Sequence, residues 1–98
     1  MAAVDPSQFF PLRKSFPELT DIQLANVCLF CTGCSYNDIS DLRGVSLDSV
    51  KESLKIAQSN LGLHSSQTLR IVVLSRLFMH TALSVAITPN PTSNYDSK

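Results

Sequence analysis

The chain of 98 residues is formally neutral, with 8 Lys+Arg against 8 Asp+Glu, and 44% of its residues are hydrophobic. A chain of this size holds one small core, which excludes a second independent domain. Because a small core gives limited stability, we expect association with another subunit. Neutral charge excludes a protein that coats nucleic acid or anionic membranes without specificity, because such binding rests on an excess of Lys and Arg. A protein that reads a specific DNA sequence is compatible with this charge.

The sequence predicts a soluble cytoplasmic protein without a membrane partner. The apolar run 71–87 is interrupted by Ser, Arg and His, and it falls short of the roughly 20 apolar residues that span a bilayer. The residues before Pro6 lack the basic start and apolar stretch of a secretory signal. The odd number of cysteines, three, fits a reducing compartment.

Residues 1–18 are predicted to form an apolar N-terminal arm that lies across the main body. Three of the five Phe residues of the chain fall between Asp5 and Pro17. Asp5 followed by Pro6 can begin a helix, and Pro11 keeps that helix short or broken. The alternative interpretation is a disordered leader.

Residues 19–87 are predicted to form an all-α domain of four helices. Helices are expected to begin after capping residues and to end near glycines, because a capping side chain satisfies free backbone N–H groups and glycine adopts the left-handed conformation that ends a helix. The last helix is long and apolar around much of its circumference, and residues 88–98 are polar, rich in Pro and predicted to be a disordered tail. The caps are Thr20, Ser35, Ser46 and either Ser65 or Ser66, and the glycines are Gly33, Gly44 and Gly62.

Residues 33–51 have the composition and spacing of a helix-turn-helix, because Gly44 permits the bend, Ser46 caps the second helix and Val50 anchors it. The wider pattern resembles the DNA-binding domain of LuxR/FixJ-type bacterial regulators, in which Leu-Thr is followed by Gly-x-Ser-x-x-Glu-Ile-Ala, Leu-Gly-Ile-Ser, x-x-Thr-Val-Lys and Lys-Leu-Gly-Val. The matching segments, in order and without a gap, are Leu19-Thr20, Gly33 with Ser35, Asp38-Ile39-Ser40, Gly44-Val45-Ser46, Ser49-Val50-Lys51 and Leu61-Gly62-Leu63.

The resemblance implies a four-helix LuxR-type fold and a small bacterial transcriptional regulator that binds specific double-stranded DNA without a cofactor. In such domains the second helix of the motif lies in the major groove, so its outward residues meet bases and phosphates. Lys51 and Lys55 are the expected phosphate or base contacts. The full set of DNA-contacting residues predicted on this basis is Ser46, Asp48, Ser49, Lys51, Glu52, Lys55, Ser59 and His64.

The resemblance also implies a homodimer formed by the last helix, which would present two recognition helices to adjacent half-sites. The dimer contact is assigned to Val73, Leu77 and Phe78. The alternative is a monomer in which the Phe residues of the arm cover this surface. Because Met1 begins only about eighteen residues before the motif, no sensor domain is expected. Regulation is then expected from abundance, dimerisation or a protein partner.

Several residues depart from the family pattern. Arg43 stands where the family places a core Leu, and Leu42 is expected to take that place by a slight rotation. Leu54 and Ile56 stand where the family carries polar residues, and acidic side chains outnumber basic ones by one between Gly33 and Gly62. These departures support an alternative, in which Lys51 and Lys55 are ordinary solvated residues. The domain is then an adaptor or anti-activator that binds another regulator.

Cys28, Cys31 and Cys34 have a Cys-x-x-Cys-x-x-Cys spacing that raises a zinc or iron–sulfur site as an alternative. A nearby fourth ligand is absent from the sequence, and free cysteines behave as small apolar side chains, so core packing and no metal are predicted. The sequence holds no Gly-rich phosphate loop and no nucleophile with an evident base. The chain is therefore not expected to be an enzyme.

Overall fold

The computed structural model describes residues 3–87, which form a bundle of helices with no strand. The all-α fold class predicted from the sequence is confirmed. The predicted tail, residues 88–98, lies outside the described residues. The elements are a 3-10 helix over Pro6–Ser15, α1 over Asp21–Cys31, α2 over Tyr36–Arg43, α3 over Leu47–Asn60 and α4 over Ser66–Ile87.

Each α-helix begins at a predicted capping residue. The Thr20 hydroxyl accepts from the backbone N–H of Gln23, whose side chain accepts from the N–H of Thr20. Ser35 caps α2 in the same reciprocal manner with Asp38, whereas the Ser46 hydroxyl caps α3 by accepting from the N–H of Ser49 alone. For α4 the cap is Ser65, whose hydroxyl accepts from the N–H of Thr68 at 3.2 Å. These bonds satisfy backbone donors that a helix leaves free at its start, so they fix where each helix begins.

The connection between α2 and α3 consists of three residues, Gly44 to Ser46. Gly44 has a φ of +67°, in the left-handed region that favours glycine, and its N–H donates to the Ser40 carbonyl. The chain therefore turns at once from the end of α2 into the cap of α3. This is the helix-turn-helix arrangement that the sequence predicts.

The core is built around α1, because the arm, α3 and α4 all pack against it. Fully buried side chains come from the arm (Phe16), α1 (Leu24), α3 (Val50) and α4 (Val73). Burial of one such side chain contributes about 1.5 to 3 kcal/mol. Val73 has no exposed surface, so its assignment to the dimer contact is wrong. The sequence could not show which side of an almost uniformly apolar helix faces its own core.

The arm is held against α1 and α4 by arginines as well as by Phe16. Arg76 of α4 forms a bidentate pair with Glu18 at 2.7 and 2.9 Å, and it donates to the Ser15 carbonyl at 3.1 Å. This hydrogen-bonded guanidinium lowers the pKa of the Glu18 carboxyl. Arg13 pairs with Asp21 at 2.9 Å. These contacts attach the arm to the start of α1 and the middle of α4.

The core contains a polar link that the sequence did not predict. Arg43 and Asn26 are both buried, and Arg43 Nε donates to Asn26 Oδ1 at 3.1 Å. Asn26 Nδ2 in turn donates to the Ser53 hydroxyl at 2.9 Å. The expectation that Leu42 replaces Arg43 in the core is wrong, because Leu42 is only half-buried while Arg43 itself points inward. Arg43 enters the core because Asn26 accepts its hydrogen bond.

The three cysteines pack as apolar side chains, as predicted. Cys28 lies in the core, and Cys31 and Cys34 pack against it. Burial raises the pKa of the Cys28 thiol to about 12 and that of Cys31 to about 11. Both thiols therefore stay protonated at neutral pH. Within residues 3–87 the structure contains no convergent group of metal-ligating side chains, and no helix there is long and apolar enough to cross a membrane.

Candidate nucleic-acid interface

The outward face of α3 carries the predicted DNA-contacting residues. The helix buries one stripe, Val50, Leu54 and Ala57, and thereby turns its other side to solvent. Leu54 is only 5% exposed, so it adds nothing to an external apolar surface, whereas Ile56 is 42% exposed. All the predicted DNA-contacting side chains are exposed, on α3, at its cap or shortly after it: Ser46, Asp48, Ser49, Lys51, Glu52, Lys55, Ser59 and His64.

A groove of about 520 Å³ lies between α3 and the start of α4. Of the predicted set, Lys51, Lys55 and His64 line it, and the acidic members Asp48 and Glu52 do not. Within the described part of the chain no Asp or Glu lines this groove. A formally neutral chain therefore presents lysine side chains in the groove without acidic side chains beside them in the lining. The residues that line it are Phe30, Tyr36, Lys51, Leu54, Lys55, Gln58, His64, Ser65, Ser66 and Leu69.

The start of α4 adds to the positive character of the groove. Ser65 and Ser66 belong to the lining, and the first turn of α4 contains no acidic residue. The first backbone N–H groups of a helix and its dipole together favour an anion. Lysine side chains and a helix start on facing walls form a suitable environment for a phosphate group.

Aromatic rings connect the basic residues around the groove. The rings of Phe30 and Tyr36 stack with centroids 6.0 Å apart and planes 18° apart. Lys51 Nζ lies 6.0 Å from the centroid of Tyr36, and the guanidinium carbon of Arg70 lies 4.0 Å from that of Phe30. The sequence-based set omitted Tyr36 and Arg70. No local spacing indicates that residues 30 and 70 meet, because the contact arises from the packing of α4 on α1.

The predicted dimer residues have three different environments. Val73 is buried, Leu77 is half-buried against the core, and Phe78 is 72% exposed. Only Phe78 is thus fully available to a partner. Between residues 66 and 83 of α4, the other exposed large apolar side chains are Ile71, Leu74, Met79 and Leu83.

A comparison with known proteins finds one informative similarity. The chain is 28% identical over 76 residues to protein TraJ of Escherichia coli, and the match covers 78% of this chain and 51% of TraJ. The chain thus spans about half the length of this curated relative. No family model matches the chain, and no solved structure matches it. The LuxR/FixJ-type resemblance therefore rests on the residues quoted above.

Proposed function

We propose that this chain is a small bacterial transcriptional regulator that binds specific double-stranded DNA through α3. The observation that carries the proposal is the groove beside α3, where a neutral chain places Lys51, Lys55 and His64 without an acidic neighbour in the lining. The 28% identity over 76 residues to protein TraJ of Escherichia coli supports a bacterial setting for this function. Such a regulator works in the cytoplasm, where bacterial DNA lies.

The proposed mechanism is binding without chemistry. The start of α3 enters the major groove, as recognition helices of this arrangement do. Lys51, Lys55 and His64 contact backbone phosphates, which sets affinity and register. The hydroxyls of Ser49 and Ser59 donate to phosphates or bases, while the Ser46 hydroxyl donates to Ser49 Oγ at 3.0 Å and so positions that side chain. The carboxylates of Asp48 and Glu52 are suited to accept from a cytosine amino group.

A two-fold dimer completes the proposal. Phe78 is 72% exposed on α4, and the neighbouring Leu74 and Met79 are exposed with it. A self-complementary contact through these side chains would bury apolar surface and pair two recognition helices on adjacent half-sites. Val73 has no part in this contact, because it lies in the core of its own subunit.

The same exposed side chains favour a second candidate function. An adaptor or anti-activator would use Phe78 and Met79 of α4, or Ile56 of α3, to bind another regulator. This candidate needs no DNA. It therefore predicts that binding of the partner protein does not require Lys51 and Lys55.

The test is selection of DNA by the purified, tagged chain from sheared bacterial genomic DNA, followed by sequencing. A parallel capture of proteins from lysate is run with and without nuclease. The proposal predicts enriched DNA sites that carry an inverted repeat and that depend on Lys51 and Lys55. A stoichiometric protein partner that survives nuclease, with no enriched DNA, would establish the adaptor instead.

A further inference from the structure

Arg70 of α4 is an exposed cation outside the predicted DNA-contacting set. Its guanidinium carbon lies 4.0 Å from the centroid of the Phe30 ring. Within residues 3–87 no carboxylate lies within ion-pair distance of Arg70, in contrast to Arg13 and Arg76, which pair with Asp21 and Glu18. Arg70 is thus held by an aromatic ring and keeps its N–H donors free of an acidic partner.

Arg70 is one end of a continuous set of contacts that crosses all four α-helices. We name Arg70, Phe30, Tyr36 and Lys51 the basic–aromatic strip. Arg70 lies over Phe30, Phe30 stacks with Tyr36, and Lys51 lies near the Tyr36 ring. Phe30 is 5% exposed and serves as a support, whereas the two cations at the ends are exposed. The strip therefore joins Lys51 on the face of α3 to a second cation on α4.

An aromatic ring beside a guanidinium prepares that group to bind phosphate. A ring beneath the guanidinium restricts the rotamers of a long side chain, so less conformational entropy is lost when a ligand binds. The guanidinium has five N–H donors, and a ring attracts the cation without engaging all of them, so donors remain for a ligand. Two N–H groups of a guanidinium can donate to two oxygens of one phosphate at the same time, whereas a lysine ammonium cannot make this bidentate contact.

We propose that Arg70 is a phosphate-contacting residue of the DNA interface, held by Phe30, so that the interface extends along the basic–aromatic strip from α3 to α4. The proposal rests on the proposed function, because it assigns one more contact to the same DNA. Lys51 and Arg70 contact separate backbone phosphates. Arg70 contributes affinity without sequence preference, because a phosphate contact carries no base information.

The test measures binding of a fluorescent duplex selected by the wild-type chain, by anisotropy, over a series of KCl concentrations. For Arg70→Ala we expect affinity to fall several-fold and the slope of log K against log salt to become shallower by about one. The affinity ratio between the selected duplex and a scrambled duplex should stay constant. Arg70→Lys should keep the slope and lose part of the affinity, because it retains the charge but not the bidentate contact.

Lys14→Ala is the matched control, because Lys14 is an exposed cation of the arm outside the groove lining. It should bind as the wild type does. The role of Arg70 would be overturned if Arg70→Ala kept the wild-type salt slope and affinity while Lys51→Ala weakened binding. Absence of DNA binding by the wild type would refute the proposed function itself. Should Arg70→Ala lose its helical circular dichroism, Arg70→Gln gives the same comparison with a longer side chain.

Discussion

Arg43 Nε donates to Asn26 Oδ1 at 3.1 Å in the core, where both side chains are buried. Since Asn26 also donates to the Ser53 hydroxyl, one amide links the end of α2, the middle of α1 and the middle of α3. Such a link fixes the direction of α3 relative to α2 more narrowly than apolar contacts alone. The outward position of Lys51 and Lys55 depends on that direction.

Asn26→Ala should lower the free energy of unfolding by about 2 to 3 kcal/mol, because it leaves the buried Arg43 guanidinium without its acceptor. Urea denaturation followed by circular dichroism measures the change. Asn26→Asp is the matched control: it keeps an acceptor for Arg43 and adds a compensating charge, so its loss should be smaller. If Asn26→Ala had the same urea denaturation midpoint as the wild type, a structural role for the Arg43–Asn26–Ser53 link would be contradicted.

Phe78→Glu should convert the proposed dimer to a monomer without unfolding it, because Phe78 is exposed in the single chain and a carboxylate buried at the proposed contact would lack a partner. Val73→Ala is the comparison variant. It leaves a core cavity, so it should cost about 2 kcal/mol of unfolding free energy while the purified, folded protein stays dimeric. Sedimentation equilibrium and thermal melting separate the two effects. The reverse pattern, dissociation by Val73→Ala alone, would place the contact on the other side of α4.

Cys28 should make the fold sensitive to alkaline pH. Its thiol has a pKa of about 12 in the folded chain against an ordinary value of 9.0. Above about pH 9 the unfolded chain loses this proton while the folded chain keeps it, so stability falls as the pH rises from about 9 towards 12. Urea denaturation at pH 8 and pH 10 should show a smaller decline for Cys28→Ala than for the wild type. An equal decline in both would show that Cys28 does not cause the sensitivity.

The boundaries of the helices could be predicted because they depend on neighbouring residues. The hydroxyl of Thr20, Ser35 or Ser46 accepts from the backbone N–H three residues along the chain, and Gly44 ends α2 through its own φ. The same local logic places Lys51 and Lys55 on the outer face of α3, opposite Val50. Helical periodicity indicates which side of α3 these lysines share, and the buried link then fixes the direction of the helix itself.

The remaining features depend on contacts between distant residues. Arg43 enters the core only because Asn26, 17 positions away, accepts from it, and Arg70 reaches Phe30 only through the packing of α4 on α1. Val73 was assigned to the dimer because α4 is apolar on several sides, and sequence periodicity does not identify the side that faces its own core. Tertiary packing decides these positions, so a single sequence does not indicate them.

The most direct test of DNA binding through α3 is the salt dependence of binding to the selected duplex by Lys51→Ala and Lys55→Ala, with Lys14→Ala as control. Each groove variant should bind more weakly and lower the slope of log K against log salt by about one, because one phosphate contact is lost. The control should match the wild type, and all three should melt at the wild-type temperature. Unchanged affinity and slope in both groove variants would contradict the account.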